Sequence, residues 1–191
     1  MLVPTLEQIS GPASEPVSLA DAKTHLRVDS TAEDTLIEGL IAAARAACEN
    51  HTGRQLMQAG WRLTLDWFPH AIEVPRPPLV SVDAVKYTGF DGSEQTLAAS
   101  EYKVAASEYG EIWPAYSKTW PDIRAEIDAV RVEFTAGYAD ADSVPAPLKT
   151  GIKMLVAHWY EHRVAVSTND LSEVPFAVKS MWNPYADPRG A

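Results

Sequence analysis

Two periodicities divide the chain. Apolar residues recur at helical spacing from Ser18 to Gly53 and again after Pro147, whereas between roughly residues 60 and 138 they alternate with a period near two. SLAD (18–21) sets a hydroxyl three residues ahead of an acid, the mark of a capped helix start, and predicts a short helix near 18–27. STAE (30–33) repeats the mark and predicts a longer helix over 31–52, stopped by Gly53 in the left-handed turn that glycine favours. Leu36, Leu40, Ala44, Ala47 and His51, with Ile37, Ile41 and Cys48 beside them, form its apolar stripe. Asp34, Glu38, Arg45 and Glu49 form its wet side. Between the two lie Gly39, Ala42, Ala43 and Ala46, a strip of small residues that lets another helix approach closely.

The middle of the chain reads as strands. WRLTLDW (61–67) and AIEV (71–74) alternate, and AVKYTGFDGSEQTL (84–97) reads as a hairpin turning at Asp91-Gly92. Short strands are expected near Tyr102–Val104 and Glu111–Trp113, and a longer one over VRVEFTAGY (130–138). Helical spacing returns with Leu148, Ile152, Leu155, Val156 and Trp159, and Pro147 fits the first turn of a helix over 147–163. A short C-terminal helix fits between Pro175 and Trp182. The fold class is therefore α+β, a small helical bundle carrying an inserted antiparallel β unit near 60–138. Residues 1–16, with Pro4, Pro12 and Pro16 and no period, read as an extended arm.

Composition narrows the function. Hydrophobic residues make up 46% of the 191, charged residues 22%, and no apolar run approaches the roughly 20 residues of a membrane span. The opening MLVPTLEQIS lacks the basic start and apolar core of a signal peptide, and a single Cys48 excludes an internal disulfide. A net charge of −10 argues against gripping nucleic acid by phosphate neutralisation, though it is compatible with letting DNA pass unheld.

One stretch suggests catalysis. HWYEHR (158–163) contains H-x-x-E-H, the pattern of the inverted zinc peptidases, in which two histidines four apart share a metal and the glutamate activates water. A catalytic zinc takes a third protein ligand, and downstream only Asp170, Glu173 and Asp187 are acidic, none on a convincing ligand helix. A helix end whose basic residues favour the negative pole of the helix explains the pattern as well. His51 and Cys48 share an apolar face and read as core. Neither a metal site nor a catalytic residue is assigned.

Six tryptophans and seven tyrosines exceed what a core of this size needs, and Trp120, Trp182 and Tyr185 lie within two residues of prolines. The C-terminal segment 167–191 carries Val174, Phe176, Val178, Met181, Trp182 and Tyr185, too many apolar side chains to leave in water. Pro175, Pro184 and Pro188 hinder a long helix there, so the segment reads as an arm that orders on a partner.

In this order the pieces resemble the head–tail connector (adaptor, or head completion) proteins of long-tailed bacteriophages and prophages. The resemblance rests on EPVSLADAKTHLRVD, WRLTLDWFP, IEVPRPPLVSVDAVKY, VEFTAGY, VPAPLKTGIKMLVAHWYEHR and VPFAVKSMWNPY, and runs from about residue 15 to 186. It implies one connector domain over 1–191, with an arm at 1–16, a helical core at 17–53 and 145–166, a β insertion at 55–140 and an arm at 167–191. It implies a ring, usually dodecameric, that joins the portal protein after DNA packaging and offers a surface to stopper or tail proteins. Such a protein needs no cofactor, lets duplex DNA through its channel, and resides at the head–tail interface of the virion after assembly in the host cytoplasm. Gly39, Ala42, Ala43 and Ala46 then become a subunit interface, and the apolar residues of the C-terminal arm become the portal contact. Another virion ring protein, such as a stopper or tail terminator, is the alternative, and a zinc hydrolase a more distant one.

Overall fold

A computed structural model describes residues 4–105, 108–162 and 174–189. The chain divides into two compact units, a β unit from residues 1–13 and 58–138, and a helical unit from residues 14–57 and 139–191.

The β unit contains strands β1 (Thr5–Ser10), β2 (Ala59–Leu65), β3 (Ile72–Glu73), β4 (Leu79–Thr88), β5 (Glu94–Thr96), β6 (Tyr102–Ala105), β7 (Glu111–Pro114) and β8 (Val130–Ala136). Five form one antiparallel sheet in the order β1-β2-β8-β4-β5, and three form a smaller sheet in the order β3-β7-β6. The period of two does its work in β8, where Val130, Val132, Phe134 and Ala136 are buried and Arg131, Glu133 and Thr135 are not. Trp61, Leu63 and Val85 join Val132, Phe134 and Ala136 in a core closed by Ile72, Tyr102 and Ile112 of the smaller sheet. On the opposite face Glu133 accepts hydrogen bonds from Arg62 (3.0 Å) and Lys86 (3.2 Å), and Arg131 pairs with Glu94 at 2.8 Å. The hairpin turns where expected, with Gly92 at φ 82°.

Two strand expectations are corrected. Residues 5–10 are not an arm but the edge strand β1, paired with β2 in the register Thr5↔Thr64 to Gln8↔Trp61. TLEQIS shows no clear alternation because only Leu6 turns to the core and the strand has a single neighbour. β4 begins at Leu79 rather than 84, and irregularities at Leu79/Ser81 and Val82/Ala84 against β8 break its period of two.

The helical unit contains α1 (Leu19–Leu26), α2 (Asp34–Thr52), α3 (Ala146–Glu161), α4 (Phe176–Trp182) and a 3-10 turn at Asn183–Tyr185. Ser18 caps α1, its hydroxyl accepting from the Asp21 amide at 3.1 Å, and Arg27 ends it in the left-handed conformation. α2 packs against α3, with α1 and α4 against both. Ile37, Ile41, Ala44 and Cys48 of α2 and Leu148, Ile152, Leu155 and Val156 of α3 are all buried in this unit.

α2 starts three residues later than expected. The Ser30 hydroxyl accepts from the Ala32 amide at 3.2 Å, a local turn in place of a helix cap, and the Glu33 carboxylate is taken up by the Tyr160 hydroxyl. The helix then opens at Asp34, held by Lys23 at 2.6 Å, and closes at Gly53 with φ 69°. Its buried line is also rotated from the expected stripe, so that Leu36 is 42% exposed while Glu49, assigned to the wet side, is buried. The expected extension of the helical core to 166 lies partly outside the described residues.

Candidate functional site

The H-x-x-E-H stretch ends a helix. α3 stops at Glu161, His162 caps it by donating its amide to the His158 carbonyl at 3.1 Å, and the His162 ring lies 2.9 Å from the same carbonyl through Nδ1. The two imidazoles are 4.7 Å apart between centroids, and Glu161 is exposed. Among the described residues no group of three His, Cys, Asp or Glu is placed to hold a metal ion. Cys48 is no better as a nucleophile. Burial, reinforced by the Glu49 charge, pushes its thiol far up, so a reactive thiolate does not form.

The small-residue strip of α2 is partly open. Gly39 and Ala43 are exposed, Ala42 and Ala46 are half-buried, and a Cβ built on Gly39 meets nothing within 4 Å. Leu36 continues this surface at the N-terminal end. Neither α1, α3 nor α4 fills it at Gly39. The result is a helix face of small residues that is partly open to solvent.

The six arm residues separate into two groups. Val178 and Trp182 are fully buried inside the helical unit, so the expectation that they stand free for a partner is corrected. Gly151 is the reason. Its missing side chain leaves a slot on α3, a Cβ there would overlap the indole, and Trp182 Nε1 donates to the Leu148 carbonyl at 3.4 Å. By contrast Phe176 is 86% exposed, and Val174, Met181 and Tyr185 are half-buried.

The segment after Trp182 is fastened to the C-terminal end of α2. His51 lies 2.8 Å from the Asn183 side-chain oxygen, the Arg54 guanidinium donates to the Tyr185 carbonyl, and the Asp187 amide donates to the Thr52 carbonyl at 2.7 Å. Just below, the buried Glu49 carboxylate accepts from Arg45 at 2.7 Å, the Gln55 amide group at 2.8 Å and the Leu56 amide at 3.0 Å. Burial lowers the Arg45 pKa, but the bonds and charges of Glu15 and Glu49 outweigh it and hold the guanidinium above its ordinary value. Sequence reasoning missed this anchorage. Gly151 was the available signal, a glycine inside an apolar helical stripe where another element's bulky side chain must sit.

A head completion protein family model matches residues 16–172. No curated protein matches the chain in sequence. Several solved structures share its fold. A chain in the virion of a native gene transfer agent (GTA) particle is 25% identical, with a TM-score of 0.78 and 95% of each chain covered. One in the neck of an empty GTA particle, computed with C6 symmetry, is 22% identical with a TM-score of 0.79 over 95% of each chain. Another, in the neck of a native GTA particle computed with C12 symmetry, is 23% identical with a TM-score of 0.77, covering 95% of this chain and 94% of that one.

Proposed function

This chain belongs to the head completion protein family, and from that premise we propose that it is a structural virion protein acting as the adaptor ring between portal and tail. It adds to the portal once DNA is packaged and presents a surface to stopper or tail proteins, in the virion of a phage, prophage or gene transfer particle. The likeness over nearly the whole chain to subunits of GTA necks, solved with C6 and C12 symmetry, supports a cyclic arrangement. In a heterologous ring each subunit offers two different faces to its neighbours.

The observation that carries this reading is the open face of α2. Gly39 and Ala43, flanked by Ala42 and Ala46, form the subunit contact, since small residues admit a neighbouring helix at close range. Phe176, with Val174, Met181 and Tyr185, forms the portal contact, and the buried Val178 and Trp182 hold that segment in place. The net charge of −10 suits a channel that duplex DNA crosses without being held. A family named for completing the head is defined by assembly, and the role needs no catalysis and no cofactor.

The test uses heads filled with DNA but lacking this protein. Wild-type chain should bind the heads directly and restore tail joining. Ala43→Glu, at an exposed position, should keep its thermal melt and yet fail to form a ring on the heads. If the variant assembles normally, the α2 face is not the subunit contact. If the wild type needs another neck protein before it binds, it is a stopper and not the adaptor.

A further inference from the structure

The order of the larger sheet brings three loops to one end of the β unit. β8 lies between β2 and β4, and the pairs Leu65↔Val130 and Tyr87↔Val130 set the ends of β2 and β4 beside the start of β8. The segments 66–70, 89–93 and 121–129 therefore spring from three successive strands of the sheet, each about 4.8 Å from the next. Hydrogen bonds tie them down. The Asp128 amide donates to the Asp66 carboxylate at 3.0 Å, the Arg124 amide to the Thr88 carbonyl at 3.0 Å, and the Ser93 amide to the Asp91 carboxylate at 3.0 Å. Each loop exposes one large apolar side chain, Trp67 at 54%, Phe90 at 74% and Ile127 at 69%.

Single exposed hydrophobics need no explanation, but three on loops that leave one end of the same sheet give that end an apolar character. Its surroundings are acidic. Asp66, Asp91, Asp122, Glu126 and Asp128 lie in these segments, against one arginine, Arg124, which Glu126 already meets at 3.4 Å, and no lysine.

We infer that this loop end is a docking surface for a protein whose contact site is an apolar socket rimmed by lysine and arginine. Charge selects that occupant. The carboxylates of these loops repel the phosphates of DNA and the headgroups of an anionic membrane, leaving a cationic protein surface as the complement. A second copy of the chain fits poorly, because the basic side chains clustered on its sheet, Arg62, Lys86 and Arg131, are already neutralised by Glu133 and Glu94. The inference rests on the head–tail reading for one point, that the partner is another protein of the same particle.

Hydroxyl-radical oxidation, read by mass spectrometry, tests it on the purified chain and on intact particles. Trp67 and Phe90 should oxidise readily in the free chain and be protected in the particle. Trp67→Ser with Phe90→Ser should slow completion of heads into tailed particles by about tenfold or more, as losing a central aromatic anchor does. Asp122→Lys with Glu126→Lys should slow it too, in a salt-sensitive way. If the chain is absent from particles, the head–tail reading fails and takes this inference with it. If it is present but Trp67 and Phe90 oxidise as in the free chain, the inference alone falls. Protection in a homo-oligomer of the purified chain would make the occupant a second copy and overturn it. So would Trp67-dependent binding to duplex DNA or phosphatidylglycerol vesicles.

Discussion

Trp182 in the helical unit and Trp67 in the β unit each sit in a short aromatic segment with a proline two residues on, yet one is fully buried and the other 54% exposed. The difference lies in what the rest of each unit provides. α3 supplies a slot at Gly151 and a carbonyl at Leu148, and the end of α2 supplies His51 against the Trp182 ring at 5.8 Å. The loop after β2 does this only for Phe68, whose ring stacks on Trp120 at 4.8 Å and meets Tyr87 edge-on. Its neighbour Trp67 points out. In these two segments the aromatic is buried where its own unit offers a cavity of matching shape and exposed where it does not.

The sharpest way to break this contrast is Trp182→Ala. Emptying a fully buried tryptophan site leaves a cavity and loosens the anchorage of residues 183–187, so the helical unit should lose about 3–5 kcal/mol. Urea unfolding should show it as a lower midpoint in the helical signal. A variant as stable as wild type would mean that the indole is not seated on α3, and would restore the reading of Trp182 as a free portal anchor.

Local features explain what was legible in the sequence. Ser18 capping α1, Gly53 ending α2, the Asp91-Gly92 turn and the alternation of β8 all depend on residues within one turn or one strand of each other. The failures depend on distant partners. β1 is a strand because β2, some 50 positions on, lends it hydrogen bonds, as in Gly60 donating to Ser10 Oγ across a separation of 50. The burial of Glu49 requires Gln55 and Leu56 to fold back on it, and that of Trp182 requires a glycine 31 positions earlier to face it. The small strip on α2 was readable by composition. Its openness was not, since that depends on where α1, α3 and α4 pack.

A smaller effect separates the charged face of the β unit from the buried anchorage of the helical unit. Hydrogen bonds from Arg62, then from Lys86, hold the Glu133 carboxyl below its ordinary range, against the opposing pull of burial. A depressed folded-state pKa contributes stability that is present above the unfolded value, about 4.3 for glutamate, and is lost as pH falls through the folded value. Glu133→Gln should cost about 1 kcal/mol or less at neutral pH, because the cluster is part-exposed, and should flatten the acid limb of the melting curve. An unchanged acid limb in thermal melts from about pH 3 to 6 would show that other carboxylates dominate it.

Trp67→Ala should have the smallest effect of all on the isolated chain. The side chain is more than half exposed, whereas the neighbouring Phe68 makes the ring contacts and Asp66 holds the Asp128 amide, so the loop keeps its shape without it. Surface changes away from caps, buried charges and strained backbone fall within about 0.5 kcal/mol. The same substitution that barely moves the unfolding midpoint should nevertheless slow the completion of heads, because only there does Trp67 leave water. Measuring both on one preparation sets Trp67 against Trp182 directly. If Trp67→Ala lowers the midpoint by as much as Trp182→Ala, the two tryptophans do the same structural job, and the loop end of the β unit loses its claim to be a surface held ready for a partner.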